Sequence, residues 1–156
     1  MCVAESHFDA NISDAEASIE GYKLFRNDRI SGKKCGGSCV YVHTSILSNN
    51  LESFNAPDTV GINLILNNNV IKLVSVYRSQ NLSNPEQFQL LSQIENLKLS
   101  PSEDVIAMGD FNFPNVNWDN STANCNTNTT NSNLVIQKRY LEVFSEKGLT
   151  PVLKNG

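Results

Sequence analysis

At 156 residues, 40% hydrophobic and 18% charged, the chain has the size and balance of one soluble globular domain, able to bury roughly 70% of its unfolded surface. No apolar run approaches the roughly 18 residues of a bilayer span, and the stretch Met1 to His7 is neither basic nor long and apolar, so neither membrane segment nor secretory signal is expected. A net charge of −4 counts against a broad basic footprint for nucleic acid, but not against a carboxylate site whose divalent cation meets a phosphate.

Cys2-Val3-Ala4 reads as the end of an apolar strand, and residues 9–20 as a polar loop with room for one helical turn. Tyr22 to Phe25 forms a short strand. The basic cluster after it (Arg26, Arg29, Lys33, Lys34) reads as a solvated loop rather than a phosphate-binding patch. Gly36-Gly37 punctuates the chain ahead of Ser38 to Val42, a strand by its β-branched and aromatic content. Val60–Leu66 and Val70–Tyr77 form an antiparallel hairpin about Asn67-Asn68-Asn69, because Asn tolerates positive φ. Both runs are almost continuously apolar, which predicts cover on both faces. Pro85 opens a helix whose Phe88, Leu91, Ile94 and Leu97, with Leu90 beside them, make one apolar stripe.

After Pro101, Asp104 to Met108 reads as a short buried strand running into Gly109-Asp110-Phe111-Asn112. From Asn120 to Asn133 the chain is almost all Asn, Ser and Thr, which predicts a flexible surface loop. A last helix, about 134–147, carries Ile136, Tyr140, Val143 and Phe144 on one face, with Gly148 as its stop and a strand at Leu149–Leu153. Helices alternating with strands and a hairpin predict an α/β sandwich with a mixed sheet. Cys35 and Cys39 have no matching pair, so with Cys2 and Cys125 they read as four reduced thiols of an intracellular protein, Cys39 in its core. The Asn-Xaa-Ser/Thr triplets at Asn11, Asn81, Asn120 and Asn128 are then accidents of an Asn-rich chain.

Three strand ends offer polar chemistry: Glu5, Tyr77-Arg78 and Gly109-Asp110-Phe111-Asn112. If the chain stays extended, Asp110 and Asn112 point the same way, a carboxylate beside an amide suited to hold an attacking water against a phosphate. The plainer alternative makes both residues turn formers bonding their own backbone, Tyr77 an edge tyrosine and Glu5 a surface carboxylate.

Val3-Ala4-Glu5-Ser6, Gly21-Tyr22-Lys23-Leu24-Phe25-Arg26-Asn27-Asp28-Arg29, Gly36-Gly37-Ser38-Cys39-Val40-Tyr41-Val42, Val76-Tyr77-Arg78, Gly109-Asp110-Phe111-Asn112 and Trp118 together resemble the endonuclease domain of non-LTR retrotransposons, of the endonuclease/exonuclease/phosphatase superfamily. The resemblance runs from the first residues to about residue 150 and implies a DNase I-like α/β sandwich with mixed sheets. It implies that Glu5 binds a catalytic Mg²⁺ (or Mn²⁺), Tyr77 contacts the scissile phosphate, Asp110 orients or activates the attacking water, and Asn112 helps bind the phosphate. The implied partners are DNA and a reverse-transcriptase domain of the same polyprotein, with no membrane; the implied location is intracellular, the nucleus included. Trp118 packs under the loop, and Arg26, Asp28 and Arg29 form structural pairs.

The chain also departs from the pattern. A strand bearing an active-site asparagine would precede Glu5, and a Ser-Asp-His-like segment would follow Gly156; neither His7 nor His43 replaces that histidine by motif. The expectation is therefore a partial domain over 1–156 with impaired DNA cleavage. The alternatives are an inactive remnant, or an abasic-site nuclease or other phosphodiesterase of the superfamily.

Overall fold

The computed structural model describes residues 1–29, 35–52, 54–67, 69–80, 82–98, 100–101, 103–118, 121–123 and 131–152. The chain opens with β1 (Cys2–Ala4) and a single helical turn, α1 (Asp14–Ala17), started by a capping box between Ser13 and Glu16. Then come β2 (Tyr22–Asn27) and β3 (Ser38–His43), which pair antiparallel in the order β1-β3-β2.

A second sheet follows from β4 (Leu47–Asn50), β5 (Thr59–Leu66), β6 (Asn69–Tyr77) and, after helix α2 (Asn84–Glu95), β7 (Glu103–Asp110). The expected hairpin is β5–β6, in register from Thr59↔Val76 to Leu66↔Asn69, with Asn67 at φ +48° in its turn. β7 lies parallel to β6, so the sheet is mixed. A short ribbon, β8 (Val116–Asn117) with β9 (Thr122–Ala123), precedes α3 (Asn131–Glu146).

Strand parity sorts β6 into two cores. Leu73 faces the first sheet, with Phe25, Val40, Val42, Val60 and Ile62. Val74 and Val76 face the helices, with Leu90, Leu91, Ile94, Tyr140 and Val143. The two helices are joined by the buried Tyr140 hydroxyl, which donates to the Gln87 carbonyl at 3.0 Å. The result is a first sheet, a mixed second sheet and a helical layer, which is the expected α/β sandwich.

Several local expectations change. Phe88 is 56% exposed, and Gln87 is buried in its place. The stripe centres on Gln87, Leu90, Leu91 and Ile94, and at about 100° per residue Phe88 falls roughly 110° off that centre. β7 is not buried on both faces: Ile106 and Met108 are exposed. The β5–β6 hairpin is covered on both faces only at its Thr59–Ile62 and Leu73–Tyr77 end.

β4 has no apolar pattern in the sequence and forms by pairing with β5. α3 starts at Asn131, three residues early. Of the loop expected at 120–133, Thr122 and Ala123 pair with β8, while residues 120 and 124–130, with Cys125 among them, lie outside the described residues. Residues 149–152 form no strand, and Leu153 lies outside the described residues. Instead Gly148, at φ +69°, turns the chain so that the Leu149 N–H reaches the Phe144 carbonyl at 2.8 Å. No described helix is long and apolar enough to cross a membrane.

At the start of β7, the Glu103 carboxylate accepts from the Ser100 N–H at 2.7 Å and from Lys72 Nζ at 2.9 Å. The Ser100 bond, then Lys72, holds its pKa down at about 2. The stability this adds is present above the ordinary glutamate value of about 4.3 and is lost as the pH falls through about 2. Urea unfolding followed between pH 5 and 2 should therefore lose stability more gently in Glu103→Gln than in the unsubstituted chain.

Candidate active site

The parallel pairing of β6 and β7 sets Tyr77 opposite Asp110 at the last step of the ladder. Paired residues of neighbouring strands project to the same face, so phenol and carboxylate leave the sheet together. The ladder continues one step further, with the Arg78 N–H donating to the Asp110 carbonyl at 2.8 Å. Glu5, just after β1, reaches the same place: the Tyr77 hydroxyl donates to its Oε1 at 2.9 Å. Burial, then the bond to Glu5 and the charges of Glu5 and Asp110, pushes the Tyr77 phenol up to about 12. At neutral pH it is a proton donor and not a base.

The stretch after β7 does not stay extended. Asn112 has φ +48°, and its N–H bonds Asp110 Oδ1 at 2.9 Å, the turn that the plainer alternative describes. The turn carries Asn112 back to β6: its Nδ2 donates to the Arg78 carbonyl at 2.9 Å, and its Oδ1 accepts from Gln80 at 3.3 Å. Glu5, Tyr77, Asp110 and Asn112 thus meet at one end of the two sheets, and the turn reading and the clustered reading hold together.

Arg78 holds this turn from below. It is 4% exposed and donates to the carbonyls of Phe111 (3.4 Å) and Asn112 (3.1 Å) and to Gln87 Oε1 (2.6 Å). Its guanidinium also stacks on Phe113, 4.5 Å from the ring centroid. The sequence marks Arg78 only as the neighbour of Tyr77. Phe111, Phe113, Trp118, Tyr140 and Phe144 form one aromatic cluster beneath the turn, and the packing role expected of Trp118 is part of it.

His7 places Nε2 4.0 Å from Glu5 Oε1. His43 lies at the end of β3, bonded to Ser45. Arg26, Asp28 and Arg29 do form ion pairs: Arg26 with Asp28 and Asp14, and Arg29 with Asp58. Asp58 is the residue whose place the sequence does not mark; its one signal is the turn-forming pair Pro57-Asp58.

A groove of about 800 Å³ runs from Asp110 and Asn112 along Ile106 and Met108 to Pro151. Among the described residues no group of three or more His, Cys, Asp and Glu side chains could hold a metal by itself. Mg²⁺ asks for less, commonly one or two carboxylates, with water and phosphate oxygens completing six ligands. Glu5 fits that requirement: its carboxylate accepts the Tyr77 hydroxyl and its side chain is 40% exposed.

The family model described as Endonuclease-reverse transcriptase matches residues 71–156, which is more than half of the chain. No curated protein matches it.

Proposed function

From the premise that the chain belongs to the endonuclease-reverse transcriptase family, we propose that it hydrolyses phosphodiester bonds of DNA with Mg²⁺, as the nicking domain of a retrotransposon polyprotein that also carries reverse transcriptase. The observation behind this reading is the Tyr77 phenol, bonded to Glu5 and paired across the ladder with Asp110. Glu5 would hold Mg²⁺, which when bound polarises the phosphoryl group. With Mg²⁺ on Glu5, the single hydroxyl hydrogen of Tyr77 would turn from Glu5 Oε1 to a phosphate oxygen. Asp110 has one oxygen occupied by the Asn112 N–H, and the other is left to orient and deprotonate a water. Asn112 keeps a second amide hydrogen beyond its bond to Arg78, and it steadies the developing charge. Water attacks phosphorus as Asp110 takes its proton, the bond to the 3′ oxygen breaks, and that oxygen takes up a proton from solvent, leaving a 5′ phosphate and a 3′ hydroxyl that can prime synthesis.

Nicking of supercoiled plasmid tests this. The chain should relax plasmid only slowly in Mg²⁺, in keeping with the impaired cleavage expected from its sequence, and stop in EDTA, and Asp110→Asn should fall about 10²–10⁴-fold further. Cleavage of abasic-site DNA alone would redirect the substrate. An Asp110→Asn variant as active as the unsubstituted chain would remove the mechanism.

A further inference from the structure

We propose that Asp58 is the positioning residue of this site, setting Glu5 and Tyr77 against each other through Arg29 and the Gly36–Gly37 loop. The proposal rests on the reading of Glu5, Tyr77 and Asp110 given above. Asp58 is 3% exposed, and two routes leave it. Along the first, its carboxylate takes the Arg29 fork, Nε at 3.0 Å and Nη2 beside it. The same guanidinium lies over the Tyr77 ring, 5.7 Å from the centroid, while the Asp58 carbonyl accepts the Tyr77 N–H at 3.0 Å.

Along the second route, Asp58 Oδ1 accepts the Gly37 N–H at 2.9 Å. The carbonyls of Gly37 and Gly36 then hold the N–H groups of Ser6 (3.1 Å) and His7 (2.9 Å), the two residues after Glu5. Glu5 and His7 sit at φ +61° and +58°, a conformation that residues other than glycine keep only when the surroundings impose it. Both glycines have positive φ, +134° and +79°, and a Cβ on Gly36 would lie 2.6 Å from Cζ of the Arg29 that Asp58 holds.

A buried carboxylate needs a cation, and Arg29 alone would meet that need. What a purely structural pair does not require is that the same carboxylate also fix the loop under Glu5. The neighbouring Arg26–Asp28 pair makes the contrast. Its guanidinium goes on to Asp9, Ile12 and Asp14, and the bonds it makes do not lead to Glu5 or Tyr77.

The test compares Asp58→Asn, Arg29→Lys and, as the control, Asp28→Asn, by amide hydrogen exchange and by nicking kinetics. Asp58→Asn should speed exchange at Ser6, His7 and Tyr77 about tenfold or more, with Leu73 and Leu91 unchanged. It should also shift the Tyr77 ring resonances, identified with Tyr77→Phe, and lower kcat with KM held. Asp28→Asn should do none of this. If Asp58→Asn does not fold, Arg29→Lys, which keeps the charge but not the fork, gives the same readouts. Exchange that quickens evenly over the whole chain, or not at Ser6 and His7, overturns the proposal. If the unsubstituted chain cuts no DNA, the proposed function falls, and the exchange pattern and ring shift alone decide the role of Asp58.

Discussion

Replacing Gly109 with alanine is expected to cost about 4 kcal/mol or more of folding stability, at the far end of what single substitutions do. Gly109 stands opposite Val76 in the β6–β7 ladder, with φ at +131°. A Cβ built there would land on the Val76 carbonyl oxygen and 2.9 Å from its carbonyl carbon. The obstacle is backbone of a fully buried residue, so no rotamer change can relieve it. The ladder would have to open next to Tyr77 and Asp110, and the positive φ adds strain of its own. Urea unfolding at neutral pH is the measurement, and a variant within about 1 kcal/mol of the unsubstituted chain would contradict the packing described here. A folded remainder should still lose nicking, because Asp110 is the next residue.

Arg78→Met is expected to destabilise the chain by about 3 kcal/mol. Methionine fills similar volume but leaves the Gln87 amide oxygen and the carbonyls of Phe111 and Asn112 without their donor. Part of the loss is offset, because burial disfavours the guanidinium and draws its pKa below the ordinary arginine value. Arg78→Lys should recover little, since a compact ammonium cannot reach both the turn and Gln87 as a planar fork does. The loss should appear in urea unfolding and as faster amide exchange across 110–113. A methionine variant as stable as the parent would mean that the buried cation is a net burden to the fold.

Much of the architecture was legible in the residues themselves. The β5–β6 hairpin follows from two apolar runs about an Asn turn, and α2 from Pro85 with its buried Leu90, Leu91 and Ile94. These signals are local, and hydrophobic period and turn chemistry act within a few residues. The strand-end motifs, together with the family resemblance, nominate Glu5, Tyr77, Asp110 and Asn112, which the fold gathers at one end of the sheets.

Tertiary structure decided what depends on neighbours distant in sequence. β4 exists because β5 offers an edge, not because Leu47 to Asn50 carry a pattern. Ile106 and Met108 are exposed, although their run reads as buried, because burial depends on what packs over a strand and not on its own composition. Asp58, 53 residues after Glu5 and 19 before Tyr77, holds both through backbone groups and one guanidinium. Backbone N–H and C=O groups are the same in every residue but proline, so the side-chain sequence carries no mark of which of them a carboxylate will find. The composition of a strand end can therefore nominate a reactive group, but only the packed chain determines what holds it in place.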